Sequence, residues 1–188
     1  MKNLNHLFKR TSTPKNLLFL FLISHTIFWF MIRHSIPKIN HQIGAKVFDI
    51  RPFGYSIPEA RAILSNLNEE TINFYIFPQL SFLDILYPFF LALFLSSLLF
   101  RLINLSELLI RSKSTLLMMP FIAMIFDYLE NFCVLYMITH TSSTPNFLIY
   151  MSSIFTVLKG VSTTIAWVSI LLFSIAWIRT KILKRKLN

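Results

Sequence analysis

The sequence predicts an all-α integral membrane protein, a four-helix bundle with short amphipathic helices in its first extracytoplasmic loop. Three observations carry that fold class. The chain is 55% hydrophobic and only 14% charged, with 20 Phe and 3 Gly among 188 residues, and a soluble domain of this length would have to leave much of that apolar mass on its surface. The apolar residues gather into four runs, three of them comfortably long enough to cross a bilayer. The basic residues that give a formal net charge of +10 stand at the ends of those runs, which is how topology-setting charge is distributed. Spans are expected at about residues 17–36, 80–101, 115–138 and 147–178, with an outer helical loop at about 48–78, all in one membrane domain.

The first run, Leu17 to Ile32, follows Lys2, Lys9, Arg10 and Lys15 and so imitates a secretory signal. Arg33, His34, Ser35, Ile36 and Pro37 come next, with no small-residue cleavage site, and an uncleaved signal anchor is expected. Its roughly 16 apolar-biased residues are short for about 30 Å of hydrocarbon, so Lys15 and Arg33 are expected to snorkel to opposite faces. The fourth run exceeds thirty residues, about 48 Å at 1.5 Å per residue, and should tilt or protrude.

Four Lys or Arg precede the first span, three (Arg101, Arg111, Lys113) lie between the second and third, and five (Arg179, Lys181, Lys184, Arg185, Lys186) follow the fourth. The loop from Thr139 to Asn146 has none. The first loop has five, but it is long and carries Asp49, Glu59, Glu69 and Glu70 as well. The positive-inside rule then places both termini in the cytoplasm. Nucleic acid is not an expected partner, because no aromatic-basic platform or zinc spacing accompanies the charge.

The first loop carries its own helix signals. Ser56-Ile57-Pro58-Glu59 fits a capping box, with Ala60, Ile63, Leu64 and Leu67 on one helical face behind it. Asn68 reads as a second N-cap, with Glu69 and Glu70 in the first turn of a helix running through Ile72, Tyr75 and Ile76. Such helices need apolar cover, either the membrane surface or the mouth of the bundle, and a lid over the bundle is the favoured reading.

An ionised side chain at mid-membrane costs about 2.5–3.5 kcal/mol, against about 0.3–0.6 returned by each Leu or Ile, so charge inside a span needs a reason. Asp127, Glu130 and Asn131 share one face of the third span. Counted along each helix, Asp127 stands about 16 Å and Glu130 about 21 Å from the cytoplasmic boundary, Lys159 about 28 Å and Asp84 about 25 Å. A lysine stem spans the difference. The expectation is a cluster in the outer half: Lys159 paired with Glu130 or Asp127, Asp84 completing it, and Asn131, Tyr87 and Tyr128 adding hydrogen bonds. Thr156, Gly160 and Thr164 follow small-xxx-small spacing, which predicts close helix packing. The same residues also fit a pair that only fixes helix register. In that reading Asp84 is solvated or caps its helix, with Ser81 as the other capping candidate.

The remaining chemistry is sparse. Cys133 is the only cysteine and builds neither a disulfide nor a thiolate metal site by itself. His25, beside Ser24 and Thr26, reads as a hydrogen-bonded bundle residue, and His34, His41 and His140 lack zinc-like spacing, so no metal or other cofactor is expected. Pro88 and Pro120 are placed to open their helices locally. No repeat, phosphate loop or nucleophile elbow is present, and no catalytic residue can be assigned.

Several segments in order, Asp49-x-Arg51-Pro52-x-Gly54-Tyr55-Ser56 leading to Glu59-Ala60, then Tyr75, Gln79 and Asp84, then Asp127-x-x-Glu130-Asn131, then Phe155-Thr156-x-x-Lys159, resemble a family of small four-span membrane proteins found mostly in bacteria. The resemblance runs from about Phe48 to Thr164. It implies the same four-span architecture, a structured outer loop and a bacterial cytoplasmic membrane, and it brings no reaction with it. Where that family leads one to expect a bulky aromatic after the lysine, this chain has Gly160, a departure that either widens the space beside Lys159 or has no consequence. Three functional readings follow: binding of a lipid or small amphiphile at the polar cluster, with Asp49, Arg51 and Tyr55 as loop contacts; an intramembrane lipid-modifying enzyme with Asp127 or Glu130 as acid or base; and an assembly protein whose polar face meets a partner transmembrane helix. For Asp49 and Arg51 a local ion pair beside Pro52 is the simpler alternative.

Overall fold

The computed structural model describes residues 2–108 and 112–187, with side chains for 6–108 and 112–184. Among these residues there are helices and no strand: α1 (Lys2–Thr11), α2 (Pro14–Phe30), α3 (Ile36–Ile43), α4 (Ile57–Ser65), α5 (Glu69–Phe74), α6 (Asp84–Ser106), α7 (Lys113–Thr139) and α8 (Asn146–Leu187). Wider π-helical turns at Met31–Ser35 and Tyr75–Leu83 join α2 to α3 and α5 to α6. Four helices long and apolar enough to cross a membrane result, Pro14–Ile43, Glu69–Ser106, Lys113–Thr139 and Asn146–Lys184, and the chain is an all-α membrane protein. Arg111 lies outside the described residues, as do the side chains of Lys2, Arg185 and Lys186.

The first spanning helix is longer than its apolar run. Proline at position 37 lacks an N–H and crowds the carbonyl one turn earlier, and the π-helical turn immediately before it widens the spacing that the ring would otherwise violate. The helix therefore continues past Arg33 to Ile43 and ends where Gly44 takes a left-handed φ of 73°. The basic stretch ahead of the first span is also helical, which charge alone did not indicate. As α1 it lies against α6, burying Phe8 beside Phe100 and Phe121 and joining Thr11 Oγ1 to Ser97 Oγ at 2.6 Å.

Both loop caps form as their residues dictate. Ser56 accepts from the Glu59 N–H, and Glu59 Oε2 accepts from the Ser56 N–H at 2.8 Å; Asn68 Oδ1 accepts from the Thr71 N–H at 2.8 Å. The Ser56 donors, with Arg51 adding to them, hold the Glu59 carboxyl below its ordinary 4.5. Beyond α5 the chain kinks at Phe77, whose φ of −133° and ψ of 125° leave the helical range just ahead of Pro78, and then resumes as helix into α6.

Two apolar cores hold the bundle. One, at the loop end, gathers Ile39, Val47, Phe48, Ile63, Tyr75, Met137 and Ile149. The other, toward the termini, gathers Phe8, Leu20, Leu95, Leu99, Leu117 and Ala166. The helices α6, α7 and α8 pack against one another, whereas α2 packs mainly along α6. The outward faces are apolar, Phe19 being 61% and Leu171 60% exposed, as lipid-facing residues should be. Along their helices Asp84, Asp127, Glu130 and Lys159 fall between residues of the one core and residues of the other.

Candidate functional site

Helical spacing brings Asp127 and Glu130 onto one face of α7, and Thr156 and Lys159 onto the facing side of α8. Lys159 Nζ donates to Asp127 Oδ1 at 2.7 Å and stands 2.5 Å from Glu130 Oε2. The hydroxyl of Thr156 donates to Glu130 Oε1 at 2.7 Å. The Glu130 side chain is fully buried, whereas those of Asp127 and Lys159 keep 16% and 19% exposure. The expected pairing thus exists with both acids at once.

The rest of the expected cluster is arranged differently. Asp84 is buried but does not touch Lys159; its Oδ2 accepts from Gln79 Nε2 at 2.9 Å, inside the turn that the π-helical stretch widens. It is neither solvated nor a cap, and α6 begins without any side-chain cap, so Ser81 fills no such role either. Asn131 donates to the Asp84 backbone carbonyl at 3.4 Å and lines a second, largely apolar cavity with Leu80, Ile85 and Leu135. Tyr128 donates to the Ile85 carbonyl at 2.7 Å. Tyr128 and Asn131 fasten α7 to the start of α6, because one residue further round the helix from Asp127 or Glu130 turns a side chain away from α8.

The outer loop closes over the pair. Gly54, with φ at 78°, lies so close to α8 that a Cβ there would stand 2.5 Å from Ser153 Oγ. The Tyr55 N–H donates to Ser153 Oγ at 2.9 Å and its phenol to Ser152 Oγ at 2.7 Å. Burial pushes that phenol's pKa up. Ser152, Thr156 and Lys159 recur at helical spacing on α8, the one signal by which Ser152 was legible beforehand. The local Asp49–Arg51 pair is not formed. Arg51 Nη1 reaches Glu59 Oε1 at 3.1 Å and its Nε the Lys46 carbonyl at 3.2 Å, while Asp49 Oδ2 accepts from the Tyr75 phenol at 2.7 Å. Asp49 Oδ1 is buried without a hydrogen-bond partner. Burial pushes the Asp49 carboxyl above its ordinary 3.8, against the opposing pull of Lys159 and the Tyr75 hydrogen bond.

Under this lid lies a cavity of about 370 Å³. Its loop-end wall is polar, made of Asp49, Asp127, Lys159 and Tyr87, and its deeper wall is apolar, made of Leu91, Leu95, Ala123 and Met124 with Pro88 and Pro120. Phe28 of α2, stacked on Tyr87 at 5.2 Å, closes one side. Gly160, Thr163 and Thr164 form the α8 wall, so at Gly160 and Thr164 the small-residue stripe faces this space, while Thr156 meets Glu130 of the neighbouring α7. A Cβ at Gly160 would meet only the Pro52 carbonyl, at 3.6 Å. From Tyr87 to Leu95 the cavity follows α6 for about 12 Å, close to one leaflet of a roughly 30 Å hydrocarbon core.

His25 is held within its own helix, its Nδ1 2.9 Å from the Phe21 carbonyl. Among the described residues no group of three or more His, Cys, Asp or Glu is placed to hold a metal ion. No family model, curated protein or solved structure matches the chain.

Proposed function

We propose that this membrane protein binds a single-chain lipid or small amphiphile, headgroup at Asp49, Asp127 and Lys159 and tail along α6 and α7. The observation that carries the proposal is the continuous cavity with a charged end and an apolar end, aligned with the direction in which a membrane amphiphile lies. Two other readings have less support. A general acid or base must reach substrate, yet Glu130 is wholly enclosed, which leaves Asp127 alone of the two acids at the cavity. A face for a partner helix must look outward, and this cluster looks inward. The family resemblance and the distribution of Lys and Arg support a bacterial cytoplasmic membrane with both termini inside.

The test fills the cavity without touching charge. Native mass spectrometry of protein released from mild detergent should show one lipid-sized adduct per chain for the natural protein and for Gly160→Ala. Gly160→Phe and, from the opposite wall, Met124→Trp should each reduce that adduct at least tenfold. Adduct retained at full occupancy in both filled variants would overturn the assignment.

A further inference from the structure

The balance of charge at the head of the cavity identifies the kind of headgroup. Resting on the amphiphile reading above, we infer that the bound molecule carries a cationic, ammonium-type head, held by Asp127 and Asp49 beside the aromatic wall of Tyr87 and Phe28. The polar end has one base, Lys159, and it is already engaged by two acids, at 2.7 Å and 2.5 Å. Asp49 adds a third carboxylate to the same enclosure.

Among the described residues no other Lys or Arg lines this enclosure. Arg51, two residues away in sequence, is turned to Glu59 and the Lys46 carbonyl. Arg61 is spent on the Thr144 carbonyl and on Asn146 Oδ1. With its acids ionised the enclosure therefore carries surplus negative charge, and unpaired charge in a low-dielectric site is costly.

Two acceptors lack a donor. Among the described residues the second oxygen of Asp127 accepts no hydrogen bond, and that side chain keeps 16% exposure. Asp49 Oδ1 is buried and unpartnered. A cationic head balances both, through an N–H bond to the open Asp127 oxygen where it is an amine and through charge alone where it is fully alkylated, whereas a phosphate or carboxylate head would add to the surplus and find Lys159 occupied. The stacked pair of Tyr87 and Phe28 at the same level presents ring surface, which suits alkylated ammonium in particular. The tail enters between α2 and α8, which do not pack together as α6, α7 and α8 do, so the cavity is reached from the side without opening the lid.

The experiment uses the full chain in neutral-lipid nanodiscs with four probes sharing one twelve-carbon tail: an alkyl trimethylammonium, an alkyl amine, an alkyl phosphate and an alkyl maltoside. Binding is followed by native mass spectrometry and by quenching of tryptophan fluorescence. The two cationic probes should bind at least tenfold more tightly than the anionic and neutral ones. Asp49→Asn, which keeps the shape and the Tyr75 contact, should cut that preference at least fivefold while leaving the maltoside unchanged. Equal or tighter binding of the phosphate or maltoside probe would overturn the headgroup assignment and leave the amphiphile site standing. Failure of all four to compete with one another, or to respond to Gly160→Phe, would overturn the site itself.

Discussion

Lys159 sits where a lone charge would be intolerable, and its two acidic partners are what allow it there. Lys159→Met should cost about 3–5 kcal/mol by leaving a fully buried Glu130 uncompensated. Lys159→Met with Glu130→Gln and Asp127→Asn should recover most of that loss, and thermal unfolding in detergent reads both. A triple variant no more stable than the single one would show that the pair does not hold α7 to α8. Thr156→Val, which strips the hydroxyl from Glu130 Oε1, should cost about 1–3 kcal/mol in the same assay.

Protonation of Asp49 gives a second test at the same scale. Its carboxyl is raised by burial, and Tyr75, Asp127 and Lys159 face it from the neighbouring helices. A bound cation favours the ionised carboxylate, so binding must release a proton wherever Asp49 is protonated in the free protein. Affinity for the trimethylammonium probe should then rise as pH increases, level off once Asp49 is ionised unaided, and lose that slope in Asp49→Asn. A slope retained in that variant would place the titrating group elsewhere.

Among the elements, the loop from Val47 to Ser56 is a lid fastened to α8, and its fastening depends on one glycine. Gly54→Ala would drive a methyl into Ser153 Oγ while also straining a positive φ. Hydrogen exchange of the Val47–Ser56 amides should accelerate at least tenfold in this variant while the middle of α6 stays protected; unchanged exchange would mean the loop is held by other contacts. The helix caps of this region were legible because Ser, Asn and Glu at those spacings satisfy backbone N–H groups whatever surrounds them. The α1 helix was not, because its amphipathic pattern is short and its basic residues look alike in a flexible tail and in a docked helix. The continuation past Pro37 was also hidden, since proline ordinarily ends a helix and only the observed π-helical turn accommodates it, whereas at Pro78 the chain kinks as a proline would have it.

At the scale of the whole molecule, four apolar runs and inward-facing charge were enough to fix the class of fold, because hydrocarbon solvates neither exposed backbone nor bare charge. Depth counted along each helix brought Lys159 to Asp127 and Glu130, but it could not give rotation about the helix axis. That is why Asp84, Asn131 and Tyr128, at suitable depth, belong to a neighbouring contact between α6 and α7. The cavity was invisible for the same reason, since it arises where four helices leave space among them and no single stretch of sequence encodes it. Orientation is checked separately: with Cys133 replaced by Ser, Ser142→Cys should react with a membrane-impermeant maleimide on intact bacterial cells expressing the protein, and reaction only after lysis would invert the topology.

A density map of the protein in nanodiscs, solved by electron microscopy with a bound antibody fragment, tests the central claim most directly. Elongated density should run from the level of Lys159 and Asp127, between Pro88 and Pro120, to Leu95. A map in which Phe28, Leu91 and Met124 close on one another and fill that space would contradict it.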